Sequence, residues 1–550
     1  MRLPKLRQFT EAQKQVYLYA PTDKHVLVSG PPGTGKTLIA CQRAIELEKR
    51  EVPVMLGMFN RVLARYSSNA ADGSRIPSAT VLTWFGDWWK RSSGLPPHPE
   101  GTNRIAIEVP YEQKDAAKLA GAGWYANEWR PWEKKKGVWM MDVPTYLANP
   151  EAFSAWKVWH EPPRAQDNPS SLDWDAVAKH VLMYEECIPD KALELGTLLI
   201  DEGQDFPRGF YKTLRTLSAV ALARGARVQH PPRCFVLADE NQQITTSNST
   251  LDEIAGALGI AADNRYQLLD NFRNTREIAE LARSFFADVG VMPNLPARQG
   301  ERPMLSVVAN QAQVAQRISI WLTNNPGKEV GVLVFGEATR KMMATLLKDI
   351  LSHQVGRPIR VQSYSWESRR DNPADKLQFD APDVVTVLNM QSCKGLEFDA
   401  TFIVDVSQAQ IGIYGPDRFR MQMFVATSRA RNWVQLIDSG PHAGAGPCFA
   451  LMPGSDVLER EAAFAVSAAT APIAPPPAAT GSKAPVVAEL GEAAWVAQLQ
   501  RIATRMSLQF DDHRAGGGAL WIGGGPELRP LLGPLGLTYS EKRSAWWRKQ

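Results

Sequence analysis

Short apolar runs that end in polar residues recur along the chain, and they predict buried strands of an open α/β sheet. Four lie in the first half of the sequence, at residues 25–28, 54–56, 197–200 and 234–237, with helical patterns between them. Each leads into glycine, asparagine or acidic residues. Because parallel strands bring their carboxyl ends to one edge of a sheet, we expect these polar residues to meet in one site.

A second set of apolar runs, at residues 330–335, 384–388 and 401–406, repeats this arrangement. These runs also end in polar motifs. The whole pattern predicts an α/β protein with two parallel sheets that face one cleft.

Two regions depart from this pattern. Residues 90–190 are rich in Trp, Lys and Gly and predict a small α+β domain inserted into the first sheet. Residues 467–485 are rich in Ala and Pro, which is typical of an extended linker. The predicted organisation is a first α/β domain at residues 1–89 and 191–268, an inserted domain at 90–190, a second α/β domain at 269–440, a linker at 441–489 and a small C-terminal module at 490–550.

Composition narrows the class of protein. The chain has 550 residues, enough for several domains, and 44% of them are apolar. No apolar stretch is long enough to span a membrane and the N-terminus lacks an apolar signal core, so we expect a cytoplasmic protein with no membrane partner. A net charge of +4 neither requires nor excludes nucleic acid, and five separated cysteines argue against a zinc site or a disulfide framework.

The most specific motif is GPPGTGKT, which lies between the first apolar run and a helical pattern, the context of a phosphate-binding loop. Its glycines allow successive backbone N–H groups to face phosphate oxygens. We predict that Lys36 reaches the β- and γ-phosphates of ATP and that the Thr37 hydroxyl binds Mg²⁺. The predicted loop residues are Gly30, Pro31, Pro32, Gly33, Thr34, Gly35, Lys36 and Thr37.

A second motif, DEGQD, follows the apolar run at residues 197–200. Its first two carboxylates fit the chemistry of phosphoryl transfer, because Asp201 can bind Mg²⁺ and Glu202 can act as the base that activates water. Together, the two motifs predict hydrolysis of the γ-phosphate of ATP.

With further motifs in the same order, the chain resembles superfamily 1 nucleic-acid helicases of the UvrD/Rep type over residues from about 5 to 440, apart from the insertion. The resemblance implies two RecA-like domains that hydrolyse ATP between them. In FTEAQ, Gln13 occupies the position that reads adenine. In ADENQ, Asp239 and Gln242 match the third motif of the family, where the glutamine senses the γ-phosphate.

Three later motifs complete the ATP site that the resemblance implies. In NFRN, Phe272 is placed to stack on adenine and Arg273 to reach the γ-phosphate. KGLEF supplies Gly395 and Glu397, whose carboxylate touches the ribose in the family, and VATSRA supplies Arg429 as an arginine finger. A guanidinium beside the transferred phosphate can raise the rate about 10³- to 10⁵-fold. Since both arginines are expected on the second sheet, we expect hydrolysis to require closure of the cleft.

Contacts with nucleic acid are predicted from aromatic and polar residues after the second apolar run. VLTWF at residues 81–85 resembles the family segment whose threonine touches a backbone phosphate. Aromatic side chains in a basic groove are typical of single-strand binding, although a core position is the alternative for two of these rings, those of Phe59 and Trp84. The predicted contacts are Phe59, Asn60, Thr83 and Trp84.

Several positions linked to the DNA strand depart from the family pattern. Asn389 and Gln391 replace Thr and His, and Phe85 replaces His, which weakens the implied 3′ to 5′ direction. The stretch from Arg273 to Lys394 is also short for this family and leaves little room for a large insertion in the second domain.

The insertion has a resemblance of its own, to a small domain of unknown function found in mobile-element and replication proteins, through IEVPYEQKDAAKLAGAGW. Within it, WYANEWRPWEKKK alternates Trp with basic residues. This pattern indicates either a surface that binds DNA or a Trp-rich core with solvated lysines.

The sequence therefore predicts an ATP-dependent translocase or helicase on single-stranded or tailed DNA, with ATP and Mg²⁺ as cofactors. One alternative is a DNA-stimulated ATPase that acts as a nucleotide-gated sensor or loader in a larger phage-defence or mobile-element assembly, with protein partners on the inserted domain or the C-terminal module. An enzyme directed to RNA is a third interpretation, which differs mainly in contacts to the 2′-hydroxyl.

Overall fold

The computed structural model divides the chain into two compact units, Met1–Ala471 and Pro472–Gln550. In the first unit it describes residues 9–58, 78–99, 104–166, 171–240, 248–287, 291–365, 367–368, 373–379, 381–441 and 443–461. In the second unit it describes residues 496, 499–500, 509–514, 519–523, 532, 537–540, 543 and 545–548.

The first unit is built from strands and helices that alternate along much of the chain. Its strands are β1 (Val26–Ser29), β2 (Val54–Met58), β3 (Ser78–Thr80), β4 (Arg104–Glu108), β5 (Gly123–Trp129), β6 (Lys136–Asp142), β7 (Lys157–Trp159), β8 (Thr197–Ile200), β9 (Arg233–Ala238), β10 (Arg265–Gln267), β11 (Met304–Val308), β12 (Glu329–Val334), β13 (Arg360–Tyr364), β14 (Val384–Asn389), β15 (Phe398–Val404), β16 (Ala430–Ser439) and β17 (Glu459–Arg460). Its described α-helices are α1 (Glu11–Lys14), α2 (Lys36–Glu48), α3 (Val81–Arg91), α4 (Lys114–Leu119), α5 (Val143–Ala148), α6 (Trp174–Met183), α7 (Asp190–Leu193), α8 (Arg208–Ala223), α9 (Leu251–Leu258), α10 (Arg276–Ser284), α11 (Gln311–Asn324), α12 (Glu337–Gln354) and α13 (Ile411–Thr427).

The first sheet is parallel and six-stranded, in the order β10-β1-β9-β8-β2-β3. Both of its faces are covered, because Leu199 of β8 belongs to one apolar cluster and its neighbours Leu198 and Ile200 belong to another. Strands buried on both faces read as continuous apolar runs, which is why the sequence predicted them. This strand order, with the phosphate-binding loop after β1, is that of a RecA-like domain.

The second sheet is parallel and seven-stranded, in the order β13-β14-β12-β15-β16-β11-β17. The predicted runs at 330–335, 384–388 and 401–406 correspond to β12, β14 and β15, so the expectation of two parallel α/β sheets is confirmed. The apolar cluster that contains Leu199 of the first sheet also contains Leu333 of β12. One continuous buried core therefore joins the two sheets.

The inserted sheet, which we define as β4 to β7, is antiparallel and four-stranded in the order β5-β6-β4-β7. It occupies less of the chain than the predicted insertion at 90–190. Helix α6 lies within the predicted range, yet Trp174 and Val177 are buried in the apolar cluster of the first parallel sheet. The insertion that forms its own sheet is thus confined to residues 104–159.

Part of the predicted linker at 441–489 also belongs to the second sheet, since β17 pairs with β11 and Leu458 is buried in the shared core. In the unit Pro472–Gln550, four antiparallel strands form a small sheet of their own: β18 (Phe510–Asp512), β19 (Leu520–Gly523), β20 (Thr538–Ser540) and β21 (Ala545–Arg548). Trp521 and Trp547 stack on each other there, and Arg543 lies over the Trp521 ring. Within the described parts of the chain, no helix combines the length and apolarity needed to cross a membrane.

Candidate functional site

The loop after β1 has the backbone that phosphate binding requires. Gly33 and Gly35 both have φ near +85°, a left-handed conformation that glycine adopts without strain. A Cβ on Gly33 would overlap the Asn271 side-chain oxygen, and one on Gly35 would lie 2.9 Å from Gln13 Nε2. The loop is therefore packed on both sides, and a larger side chain at either glycine would force it open.

Lys36 begins α2 and is buried. Its ammonium group donates to the carbonyl oxygens of Gly30 and Pro31 within the loop and lies 3.8 Å from the Asp239 carboxylate. Burial lowers the pKa of Lys36, and the charge of Asp239 opposes that shift. The ammonium group therefore lies where it could donate hydrogen bonds to the phosphate oxygens of a nucleotide in place of the two loop carbonyls.

Two oxygen groups meet at the start of α2. The Thr37 hydroxyl donates to the Asp201 carboxylate at 2.6 Å, although 164 residues separate them in sequence. Burial and the nearby Glu202 charge raise the pKa of Asp201 above its usual range. A hydroxyl and a carboxylate side by side are the hard oxygen ligands that Mg²⁺ prefers, so these residues fit the predicted metal site.

Glu202 directly follows this carboxylate and is buried. Burial raises the pKa of Glu202, but the nearby ammonium groups of Lys394 and Lys36 outweigh that effect and leave the pKa lower than usual. Its carboxylate accepts a 2.7 Å hydrogen bond from Gln204 Nε2, while Gln204 Oε1 accepts from the Asp239 backbone N–H at 2.9 Å. Gln204 therefore links the ends of β8 and β9 and orients the predicted base.

The second sheet reaches this site through Lys394. Its ammonium group donates to both oxygens of Asp205, at 2.7 and 2.8 Å, and lies 3.7 Å from the Glu202 carboxylate. All three side chains are buried. The last carboxylate of DEGQD thus forms an ion pair between the two domains, and the same lysine approaches the predicted base.

Arg273 lies at the boundary of the two domains and not on the second sheet, as the sequence had suggested. It follows β10 of the first sheet, and the neighbouring Phe272 N–H donates to the Gly33 carbonyl at 2.9 Å. Its Nη2 is 2.5 Å from Glu397, its Nη1 donates to the Ser428 carbonyl, and its buried Nε has no hydrogen-bond partner among the described residues. The expectation was wrong because NFRN precedes α10 and packs on the loop.

Glu397 and Arg429 complete the cleft from the second domain. Arg273 and Arg431 both bind the Glu397 carboxylate, and although burial raises its pKa, their charges hold the pKa at about 2. Arg429 lies between α13 and β16, is 1% exposed, and donates to the Val425 carbonyl at 2.9 Å. Burial lowers the pKa of Arg429 to about 10.

A small pocket of about 20 Å³ lies between the loop and these second-domain residues. Its lining includes Pro32, Gly33, Gly35, Lys36, Thr37, Leu38, Glu202, Arg273, Gly395, Glu397 and Arg429. The structure therefore brings most of the predicted loop, carboxylate and arginine residues to one place.

The predicted adenine-binding residues lie beside the loop. Gln13 is buried; its amide accepts from the Thr10 N–H and donates to the Thr34 carbonyl, both at 3.0 Å. Phe272 is 52% exposed, so one aromatic ring is available for stacking next to the loop. Gln242 lies outside the described residues.

The predicted nucleic-acid contacts are only partly described, since Phe59 and Asn60 lie outside the described residues. Thr83 is exposed in the first turn of α3, and its hydroxyl is 2.7 Å from that of Thr80. Trp84 is half-buried and packs against the apolar cluster of the first sheet. Trp84 thus combines a core contact with partial exposure.

Sequence reasoning gave no site role to Gln204, Asp205, Lys394 or Arg431, although the first three lie within the recognised motifs DEGQD and KGLEF. Asn271 was also missed. Its side-chain oxygen accepts from the Arg273 and Asn274 backbone N–H groups and rests against Gly33. The polar residues at the ends of DEGQD and KGLEF, which are Gln204, Asp205 and Lys394, were the sequence features that could have indicated these roles.

Fold and loop together define an α/β protein with two RecA-like sheets and a phosphate-binding loop in the cleft between them. No family model matches the chain, and no curated protein matches it.

Several solved structures are similar to parts of the chain. One is the C-terminal domain of a possible DNA helicase from Lactobacillus plantarum WCFS1, at 18% identity and a TM-score of 0.24, covering 34% of this chain and 97% of that domain. The DUF1998 helicase MrfA is similar at 10% identity, with a TM-score of 0.39 when bound to DNA and 0.38 when bound to DNA and AMPPNP. These alignments cover 80% and 78% of this chain but 48% of MrfA, about half its length. The TM-scores are too low to bear on the function of this chain.

Proposed function

We propose that this protein is an ATP-dependent translocase or helicase on single-stranded DNA, of the superfamily 1 UvrD/Rep type, which moves 3′ to 5′. The observation that carries the proposal is the convergence of the phosphate-binding loop, the DEGQD carboxylates and cations of the second domain in one cleft. Each group has the chemistry that phosphoryl transfer from ATP needs.

In the proposed reaction, the loop N–H groups and Lys36 bind the ATP phosphates. Glu202 accepts the proton of the attacking water, while Arg273 and Arg429 stabilise the charge that spreads over the phosphate oxygens. Gln13 and Phe272 bind adenine, and Gln242 reports the γ-phosphate. Thr37 and Asp201 would hold Mg²⁺, which supplies positive charge at the phosphates when it is bound.

The coupling to movement is supported by contacts that cross the cleft. Lys36 and Glu202 from the first domain and Arg429 from the second line one pocket, so a nucleotide bound there would contact both domains, and its binding and release would change the separation of the two sheets. Lys394 of the second domain binds Asp205 and lies 3.7 Å from the Glu202 carboxylate. A change in the separation of the two sheets would therefore also affect the predicted base. Alternate binding and hydrolysis would then move the two domains relative to each other along a strand.

The test is the rate of ATP hydrolysis by the full chain with single-stranded DNA, duplex DNA and RNA, followed by unwinding of duplexes with a tail of either polarity. We expect single-stranded DNA to stimulate hydrolysis most and a 3′ tail to support unwinding. Stimulated hydrolysis without unwinding would favour the nucleotide-gated sensor or loader. Hydrolysis that no nucleic acid changes would refute both.

A further inference from the structure

The two faces of the inserted sheet have different surroundings. On one face, Ile105, Ile107 and Met141 pack in a cluster with residues of α4 and α5. Because side chains alternate along a strand, Arg104 and Ala106 point to the other face. The register sets Met140 and Trp159 on either side of Ala106 across β6, β4 and β7. This second face has a small residue between two large ones.

A cavity of about 500 Å³ lies over that second face. Its lining is aromatic, aliphatic and charged: Lys90, Arg104, Ala106, Glu128, Trp129, Pro131, Met140, Trp159, His160 and Glu161. We call it the insert cavity. It has the size of a small-ligand site, and its charged lining combines two cations, Lys90 and Arg104, with two carboxylates, Glu128 and Glu161.

Two tryptophans give the insert cavity its chemistry. Trp129 is 61% exposed at the end of β5, and Lys136 lies over its ring at 5.5 Å. Trp159 is 5% exposed, and its indole N–H has no hydrogen-bond partner among the described residues. Trp129 therefore presents an exposed aromatic surface with a cation beside it, while Trp159 is a buried part of the cavity lining.

A second cavity, of about 240 Å³, adjoins the insert cavity. The two share Lys90 and Glu161, which form a 2.9 Å ion pair. The second cavity is also lined by Thr83, the residue predicted to contact a backbone phosphate. The cavity that Thr83 lines and the insert cavity therefore meet at the Lys90–Glu161 ion pair.

We propose that the insert cavity binds an unpaired base of single-stranded DNA; this rests on the proposed function, because DNA must reach the chain. The base stacks on the exposed ring of Trp129, with the side chains of Met140 and Trp159 lining the cavity beside it. The cations Lys90, Arg104 and Lys136 lie near the flanking phosphates. Stacking is tolerant of sequence because every base has an aromatic face, so the site holds the strand without selecting its sequence.

The test is binding of the full chain to a fluorescently labelled single strand, measured by anisotropy. Trp129→Ala should weaken binding about tenfold, because stacking of one base contributes on that scale, and Trp129→Phe should restore most of it. A strand of equal length without bases should bind the parent and Trp129→Ala equally. Melting temperatures near that of the parent would show that each variant is folded.

Trp124→Ala is the matched control. Trp124 lies on the same strand and is 50% exposed, but it packs on Trp139 at the opposite face of the inserted sheet. We expect this variant to bind as the parent does. Equal affinity of Trp129→Ala and Trp124→Ala, or an equal loss on the strand without bases, would overturn the proposal while leaving the proposed function intact. If the parent itself binds no single strand, the proposed function fails as well.

Discussion

Glu202 has an unusual backbone for its residue type, with φ of +53°. Residues other than glycine rarely adopt this left-handed backbone conformation, which costs on the order of 1–3 kcal/mol. Its backbone N–H donates to Asp201 at 3.0 Å, and its carboxylate accepts from Gln204. These bonds hold the carboxylate toward the cleft, where it lines the pocket beside Lys36 and Arg273.

We predict that Glu202→Gln retains ATP binding and loses turnover by about 10²- to 10⁴-fold, since only the proton acceptor is removed. Binding of a fluorescent ATP analogue and release of phosphate measure the two effects separately. Glu46→Gln on α2 is the control, because Glu46 contacts Lys49 and Gln42 and not the cleft. Near-normal turnover by Glu202→Gln would assign the base elsewhere.

His160 is a second residue whose environment fixes its protonation. Its Nδ1 accepts from the Trp89 indole at 2.9 Å, so its Nε2 carries the hydrogen that is donated to the Leu95 carbonyl at 2.8 Å. Burial lowers the pKa of His160 to about 4, and His180 adds to the shift. A proton on Nδ1 would face the indole N–H, so the folded protein keeps this imidazole neutral.

At the scale of elements, this histidine ties the end of β7 to α3, and the tie should weaken in acid. The unfolded chain binds the proton near pH 6.5 and the folded chain near pH 4, so the stabilisation is complete above pH 6.5 and is lost as the pH falls toward 4. We predict that His160→Gln removes up to about 3 kcal/mol of this pH dependence. Urea unfolding of both proteins at several pH values measures the difference; parallel pH profiles would contradict the prediction.

Elements differed in how well the sequence predicted them. Strands β1, β8, β9 and β12 were found because each is a continuous apolar run buried on both faces. The edge strands β3 and β10 are only three residues long, and β16 mixes apolar with polar residues, so no run marked them. Helix α6 was assigned to the insertion by its place in the sequence, although Trp174 packs on Phe210 of the first domain.

At the scale of the whole molecule, the buried ion pair between Asp205 and Lys394 connects the two domains. We predict that Asp205→Leu destabilises the fold by about 3–5 kcal/mol. The substitution removes the carboxylate that pairs with Lys394 and leaves the charge of this buried lysine without that partner. The double variant with Lys394→Met should recover much of that loss, yet ATP turnover should stay low since the lysine no longer reaches Glu202.

Urea unfolding and phosphate release by the parent, both single variants and the double variant form a double-mutant cycle. Additive losses in stability would show that the two residues do not interact. Normal turnover by the double variant would show that the ion pair serves stability alone.

The sequence predicted the phosphate-binding loop and the carboxylates because each is a local motif with a fixed spacing. It could not predict the contacts that assemble the cleft. Asp205 and Lys394 are 189 residues apart and Arg273 and Glu397 are 124 apart, and only the packing of two sheets brings them together. Local patterns thus identified the groups, while their pairing depended on tertiary structure.

The inserted sheet enters through β4 and leaves through β7, and these two strands are paired with Ala106 opposite Trp159. Adjacent strands lie about 5 Å apart, so the host chain is interrupted at a single point in space. A genetic event that adds or removes the inserted sheet needs to preserve only the place where the host chain leads into β4 and resumes after β7. The inserted sheet can therefore be exchanged in evolution, or by protein engineering, while the cleft between the two parallel sheets stays the same.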